Sequence, residues 1–221
     1  MSAIDDPSSL LATLLDKAKK AGADAADAIF VNGISLSTSY RLGKPEGLER
    51  SEGHDLGLRV LLGQQQAMVS TTDFAEDALD ELVSRAIAMA GAVPEDPFCG
   101  LIEPSQLARD WPDLELADTG EPGPEKLIEW ARRAEEAARA VPGVTNSEGG
   151  DASWGRSHKA LATSGGFSGS YESSSFSFSV SVLAGEDTGM ERDYDWSSAC
   201  FEDDLGSPEE IGKNAGEGAV R

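Results

Sequence analysis

Histidine, a side chain that commonly binds zinc and transfers protons in enzymes, occurs only twice in this sequence, at His54 and His158. The two histidines are far apart in the sequence, and no HExxH, HxH or HExxxH motif is present. Because a zinc site needs several ligands, a site built from this chain alone is not expected. His54, which stands beside Asp55, is interpreted as a surface residue.

Serine and acidic clusters are the other places where chemistry could be sought. Within the Ser-rich run Ser164–Ser181, Gly166–Gly169 comes near a nucleophile elbow, but the second required Gly is missing and the region has the features of a hairpin. Solvent-facing serines are the preferred interpretation.

The acidic residues from Glu186 to Asp204 do not have EF-hand spacing and are interpreted as solvated faces. Cys99 and Cys200 lack metal-type spacing and are expected to be free thiols.

The segment Gly189–Trp196 combines charged and aromatic residues more densely than any other. Its alternation predicts a strand with charge on one face and Met190, Tyr194 and Trp196 on the other. The exposed edge of such a strand can pair with an extended peptide. Arg192 could hold a carboxylate, and Tyr194 supplies a flat apolar face. Ordinary cross-strand charge pairs are the alternative. The candidate substrate-binding residues are Glu191, Arg192, Asp193 and Tyr194.

The net charge excludes some classes of partner. With 40 Asp and Glu against 18 Lys and Arg, the formal charge is -22. Such a surface repels phosphate backbones and anionic lipids, so neither nucleic acid nor a membrane is an expected partner. The sequence also has no signal-peptide pattern at its start and no apolar stretch long enough to span a membrane, which predicts a cytoplasmic protein.

Four helices are predicted around these candidates. Apolar residues recur at helical spacing over Leu10–Ala21, Ala75–Ala90, Glu125–Val141 and from Ile211 onward. We expect Asp73 with Glu76 to cap the second helix and Ser207–Glu210 to form a capping box for the fourth. The fourth pattern is still helical at Arg221, which suggests that the intact protein continues beyond it.

Alternating polar and apolar residues predict antiparallel strands in both halves of the sequence. They include Ile34–Leu42, Leu56–Leu62 and the regular Ser and hydrophobic alternation before Val182. A Pro- and Gly-rich linker at 96–123 separates a first domain at 1–95 from a second at 124–221. The predicted class is α+β: two successive helix–antiparallel sheet–helix units, each with its own sheet, with Ile34, Leu36, Leu58, Val60, Phe178 and Val180 buried.

Five sequence runs together resemble the PmbA/TldD family and are most similar to its PmbA (TldE) branch. They are Ser51–Val60, Ser70–Asp73, Val144–Gly149, Ala162–Tyr171 and Gly189–Tyr194. The resemblance covers nearly the whole chain. It implies that this is the N-terminal half of such a protein, with its first two domains present and a third region absent.

The resemblance also implies a function. TldD-type subunits carry a zinc-binding HExxxH helix and act with PmbA-type partners, as a heterodimer, on unfolded or precursor peptides. PmbA-type subunits lack that motif, as this chain does, so no catalytic or metal residue is expected here, and zinc is expected only in the TldD-type partner. The alternative is an acidic protein-binding module that modulates DNA gyrase or another protein without proteolysis. A homodimer with metal ligands in the absent region is a third possibility.

Overall fold

Six strands of this chain form one antiparallel sheet in a computed structural model that describes residues 7–221. The strands are β1 (Ala25–Arg41), β2 (Lys44–Leu62), β3 (Gln65–Thr71), β4 (Val144–Thr163), β5 (Ser168–Ala184) and β6 (Glu191–Ala199). Their order across the sheet is β3-β2-β1-β4-β5-β6. The helices are α1 (Ser8–Lys20), α2 (Glu76–Ala90), α3 (Pro124–Arg139) and α4 (Pro208–Ala219).

The predicted α+β class with antiparallel strands and flanking helices is confirmed. The expectation of two separate sheets is wrong, because β1 and β4 are neighbours in one sheet. The chain divides into two compact units that interleave along the sequence. One comprises residues 7–32 with Gly53–Leu114 and His158–Tyr171, and the other comprises Gly33–Glu52, Glu115–Ser157 and Glu172–Arg221.

In the first unit, α1 and α2 cover one face of the strands. Their buried residues include Leu11, Leu14, Leu82 and Ala86, at the helical spacing that the sequence showed. Lys17 of α1 forms an ion pair with Asp80 of α2 at 2.5 Å. The expected cap of α2 is wrong: the helix begins after Ala75, and the Asp73 carboxylate accepts the N–H of Ala75 instead.

In the second unit, α3 and α4 cover a hydrophobic core that includes Trp130, Ala134, Trp154, Phe176, Phe178, Val180 and Val182. Leu36 is also buried, whereas Ile34 is only half-buried. Pro208 is the first residue of α4, directly after Ser207. The expected capping box is wrong, because the Ser207 hydroxyl donates to Glu209 and no side chain caps the helix.

Glycine allows two very close approaches of backbone in this unit. A Cβ on Gly150 of β4 would lie 2.4 Å from the carbonyl oxygen of Ala131 in α3. A Cβ on Gly212 of α4 would lie 2.2 Å from the carbonyl oxygen of Ala134, also in α3. Real Cβ atoms do not come so near to backbone, so only glycine permits these contacts. The strand and α4 therefore both pack directly on the backbone of α3.

The residues before α3 are held in place by Asp118. Its carboxylate accepts the N–H groups of Gly120 at 2.8 Å and Glu202 at 3.0 Å, and the Glu202 and Gly120 bonds lower the pKa of Asp118. Arg156 donates to the carbonyl oxygen of Asp118 at 2.6 Å. This part of the predicted linker is therefore packed against its unit.

Candidate functional site on strand β6

Strand β6, which carries the four predicted site residues, is the last strand of the sheet. It pairs with β5 in the antiparallel register that sets Tyr194 opposite Ser181 and Asp195 opposite Val180. Val180 is buried beneath the helices, so Asp195 lies on the helix-covered face. Tyr194 and its alternate neighbours therefore lie on the opposite face, which no helix of this unit covers.

A row of three flat groups occupies that open face. The guanidinium carbon of Arg192 lies 5.7 Å from the centre of the Tyr194 ring. The Tyr194 and Trp196 rings stack with centres 5.9 Å apart and an angle of 26° between their planes. Both residues remain more than half exposed, at 54% and 57%. The expectation that charge and aromatic side chains lie on opposite faces is wrong for Arg192, because alternation places it with the aromatics.

Arg192 is held by an acidic partner across the sheet. Its Nε donates to Glu148 Oε2 of β4 at 2.5 Å, and the Ser181 hydroxyl donates to the same oxygen at 2.8 Å. The Arg192 contact, followed by the Ser181 bond, lowers the pKa of Glu148. The charge of Arg192 is thus already balanced, while its side chain stays 54% exposed.

Two carboxylates of β6 accept main-chain N–H groups of the same strand. Asp193 Oδ1 accepts the N–H of Tyr194, and Asp195 Oδ1 accepts the N–H of Trp196, each at 2.8 Å. Asp195 also accepts a hydrogen bond from Asn214 of α4 at 3.0 Å. Glu191, the remaining predicted residue, is exposed at the start of the strand.

The sequence reasoning missed four participants in this arrangement: Glu148, Ser181, Asp195 and Asn214. Glu148 could not have been found, because its pairing with Arg192 depends on which strands are neighbours. Asp195 carried a signal, since Asp-Tyr-Asp-Trp repeats an acidic residue at every second position of a strand.

A zinc ion, which the resemblance associates with the TldD-type partner, is not accommodated by this chain's described residues. Within residues 7–221, no group of three or more His, Cys, Asp or Glu side chains could hold a metal ion. His54 lies against the Phe74 ring, with ring centres 4.9 Å apart, and its Nε2 is 3.2 Å from the carbonyl oxygen of Thr72.

None of the described helices is long and apolar enough to cross a membrane.

Comparison with known families identifies both halves of the sequence. Residues 26–90 match the model described as PmbA/TldA metallopeptidase domain 1, and residues 117–221 match the PmbA/TldA metallopeptidase central domain. Together the two matches cover more than three quarters of the chain.

Curated relatives agree with this match. The chain is 35% identical over 208 residues to a metalloprotease PmbA homolog of Haemophilus influenzae, covering 93% of this chain and 46% of that protein. It is 36% identical over 181 residues to metalloprotease PmbA of Escherichia coli O157:H7, covering 81% of this chain and 40% of that protein. The chain thus spans about half the length of these relatives.

Solved structures share the fold. A proposed modulator of DNA gyrase from Bacteroides thetaiotaomicron superposes with a TM-score of 0.89 at 23% identity, covering 98% of this chain and 50% of that one. TldE from Thermococcus kodakarensis superposes with a TM-score of 0.76 at 16% identity, covering 94% and 46%. The family matches and the curated relatives show that this chain belongs to the PmbA/TldD metallopeptidase family and resembles its PmbA-type members.

Proposed function

We propose that this chain is the non-catalytic, substrate- and partner-binding part of a PmbA/TldE-type subunit. In this proposal it acts in the cytoplasm with a TldD-type subunit that carries the zinc, and together they cleave unfolded or precursor peptides. Residues 1–95 and 124–221 are the first and second domains of the family, with 96–123 as the linker. Nucleic acid and membrane are not partners.

The observation that carries the proposal is the exposed row of Arg192, Tyr194 and Trp196 on the last strand of the sheet. Aromatic and arginine side chains are the residues most enriched where proteins bind other polypeptides. Stacking restricts the two rings before any ligand arrives, so less side-chain entropy is lost on binding. A sequence-tolerant peptidase needs such a flat apolar surface.

The four β6 residues have different roles in this proposal. Tyr194 supplies the apolar contact, and Arg192, which Glu148 fixes in place, supports the ring and offers its exposed terminal nitrogens to a peptide carbonyl or carboxylate. Glu191 and Asp193 place negative charge beside the bound peptide. Contacts of this kind are distributed along the strand and do not select one peptide sequence.

The test compares two double variants of the complete subunit. Arg192→Ala/Tyr194→Ala removes the row, whereas Lys159→Ala/Tyr171→Ala removes another exposed tyrosine with a cation 5.2 Å from its ring centre. Co-purification with a TldD-type protein bearing HExxxH and cleavage of an unfolded peptide are measured for both, after thermal melting shows that folding is preserved.

We expect the first variant to reduce cleavage or partner affinity by about tenfold or more, as loss of a central interface residue does. The control variant should differ from the wild type by less than about twofold. Unchanged cleavage and unchanged partner affinity in the first variant would leave β6 as scaffold and refute the proposal.

A further inference from the structure

At the edge of β6 that has no neighbouring strand, two main-chain N–H groups are already bonded to carboxylates of β6 itself. The N–H groups of Tyr194 and Trp196 donate to Asp193 and Asp195, and not to β5. They therefore lie on the side of β6 that has no neighbouring strand. These are the donors that an added peptide strand would need. A peptide can therefore pair with this edge only by displacing two carboxylates.

Displacement has a cost that depends on the charge of the incoming peptide. Each carboxylate gives up a charge-assisted hydrogen bond and needs a new partner. A peptide carbonyl can replace the carboxylate at the N–H group, and a Lys or Arg side chain can both donate to the released carboxylate and balance its charge. An uncharged peptide leaves the carboxylate to water, and an acidic one repels it.

The charge of the residues around β6 also favours a basic peptide. From residue 186 to residue 204 the sequence has eight acidic residues and a single basic one, Arg192, whose charge Glu148 balances. Peptide residues that alternate with those basic side chains lie over the opposite face of β6, where the Tyr194 and Trp196 rings are exposed. Negative charge and aromatic surface therefore lie on opposite faces of the same strand.

We propose that the β6 edge binds extended, Lys- and Arg-rich segments of peptide, with Asp193 and Asp195 transferring from the main-chain N–H groups to the basic side chains. This rests on the proposed peptide-binding function and names the class of peptide that the site prefers. The two aspartates thus disfavour pairing with uncharged or acidic peptide strands and favour pairing with basic ones.

The experiment measures the binding of three short labelled peptides to the complete subunit by fluorescence anisotropy. One has Lys at alternating positions among Ser and Thr, and the others have Gln or Glu in place of Lys. Asp193→Asn/Asp195→Asn keeps oxygen acceptors for the N–H groups but removes both charges. Asp203→Asn/Asp204→Asn removes the same charge from exposed residues of a neighbouring turn.

We expect the wild type to bind the Lys peptide about five- to tenfold more tightly than the Gln peptide, and the Glu peptide least. The Asp193→Asn/Asp195→Asn variant should bring the Lys and Gln peptides within about twofold, whereas the control should keep most of the difference. The preference should weaken between about 0.05 M and about 0.5 M salt.

Two results would overturn the proposal: equal binding of the Lys and Gln peptides by the wild type, or an equal loss of preference in both Asn variants. If the peptides then still bind the wild type but not Arg192→Ala/Tyr194→Ala, only the charge preference is lost. If Arg192→Ala/Tyr194→Ala binds every peptide as the wild type does, or the wild type binds none, β6 is not the peptide site and both proposals fall.

Discussion

Arg133 of α3 and Glu209 of α4 form a two-point ion pair, with Nε 2.6 Å from Oε1 and Nη2 2.8 Å from Oε2. Paired planar groups of this kind are stronger and more directional than single contacts. The pair joins the helices near the start of α4, where negative charge is also favoured by the helix dipole. It is the clearest electrostatic link between α3 and α4.

This ion pair predicts a pH-dependent contribution to stability. The Arg133 bond lowers the pKa of Glu209 from 4.5 to about 2. Because the folded pKa is depressed, the stabilisation is present above pH 4.5 and is lost as the pH falls through about 2. Both side chains are more than a third exposed, so we expect Glu209→Gln to cost less than about 1 kcal/mol at neutral pH.

Urea unfolding at several pH values checks the Glu209 prediction, with Glu210→Gln, at the adjacent exposed position, as the control. The difference between wild type and Glu209→Gln should shrink steadily below pH 4.5. A difference that stays constant down to pH 2 would show that the ion pair is not its source.

Gly150→Ala should destabilise the protein strongly. The new Cβ would lie 2.4 Å from the Ala131 carbonyl oxygen, so strand or helix must move. We expect a loss of about 2 to 3 kcal/mol, typical of an overpacked core. Gly155→Ala, on the same strand, brings Cβ no nearer than 3.5 Å to another atom and is the matched control. Equal unfolding free energies for the two variants would contradict the predicted contact.

Glu135 is a buried carboxylate that fixes the turn between β1 and β2. It has no exposed surface; its Oε1 accepts the N–H of Leu42 at 2.8 Å, and its Oε2 has no hydrogen-bond partner. Leu42 is held at φ 48, a left-handed conformation that is unusual for leucine. We expect Glu135→Ala to cost about 1 to 3 kcal/mol, because the Leu42 N–H is left unpaired.

Glu135→Gln tests the hydrogen bond to Leu42 with little change in side-chain size. The amide oxygen can still accept from Leu42, so we expect this variant to keep most of the stability that Glu135→Ala loses. Thermal unfolding of both variants measures the difference. Equal destabilisation by Gln and Ala would contradict a role for the bond to Leu42 in holding the turn.

The sequence predicted the parts of the fold that depend on local pattern. The Ser and hydrophobic alternation before Val182 gave the buried face of β5 correctly, because strands alternate whatever their neighbours are. The pairing of β1 with β4 could not be predicted, because it joins segments far apart in the sequence. Because the sequence does not reveal that pairing, it predicted two sheets where the structure has one.

The candidate site was predicted only in part, for two physical reasons. Arg192 was grouped with the other charged residues by chemistry, whereas position along the strand decides the face. The hydrogen bonds from Tyr194 to Asp193 and from Trp196 to Asp195 depend on side-chain geometry that residue types do not specify. Helix caps failed similarly, because Asp73 and Ser207 had other local partners.

The glycines that let α4 pack closely against α3 and β6 also make α4 a poor helix by itself. Three of its residues, Gly212, Gly216 and Gly218, are glycines, and each disfavours an isolated helix by about 1 kcal/mol relative to alanine. Its amide protons should therefore exchange with solvent through local opening, at a free energy below that of global unfolding. Each such opening breaks the hydrogen bond from Asn214 to Asp195. Local unfolding of α4 is therefore coupled to the edge of β6.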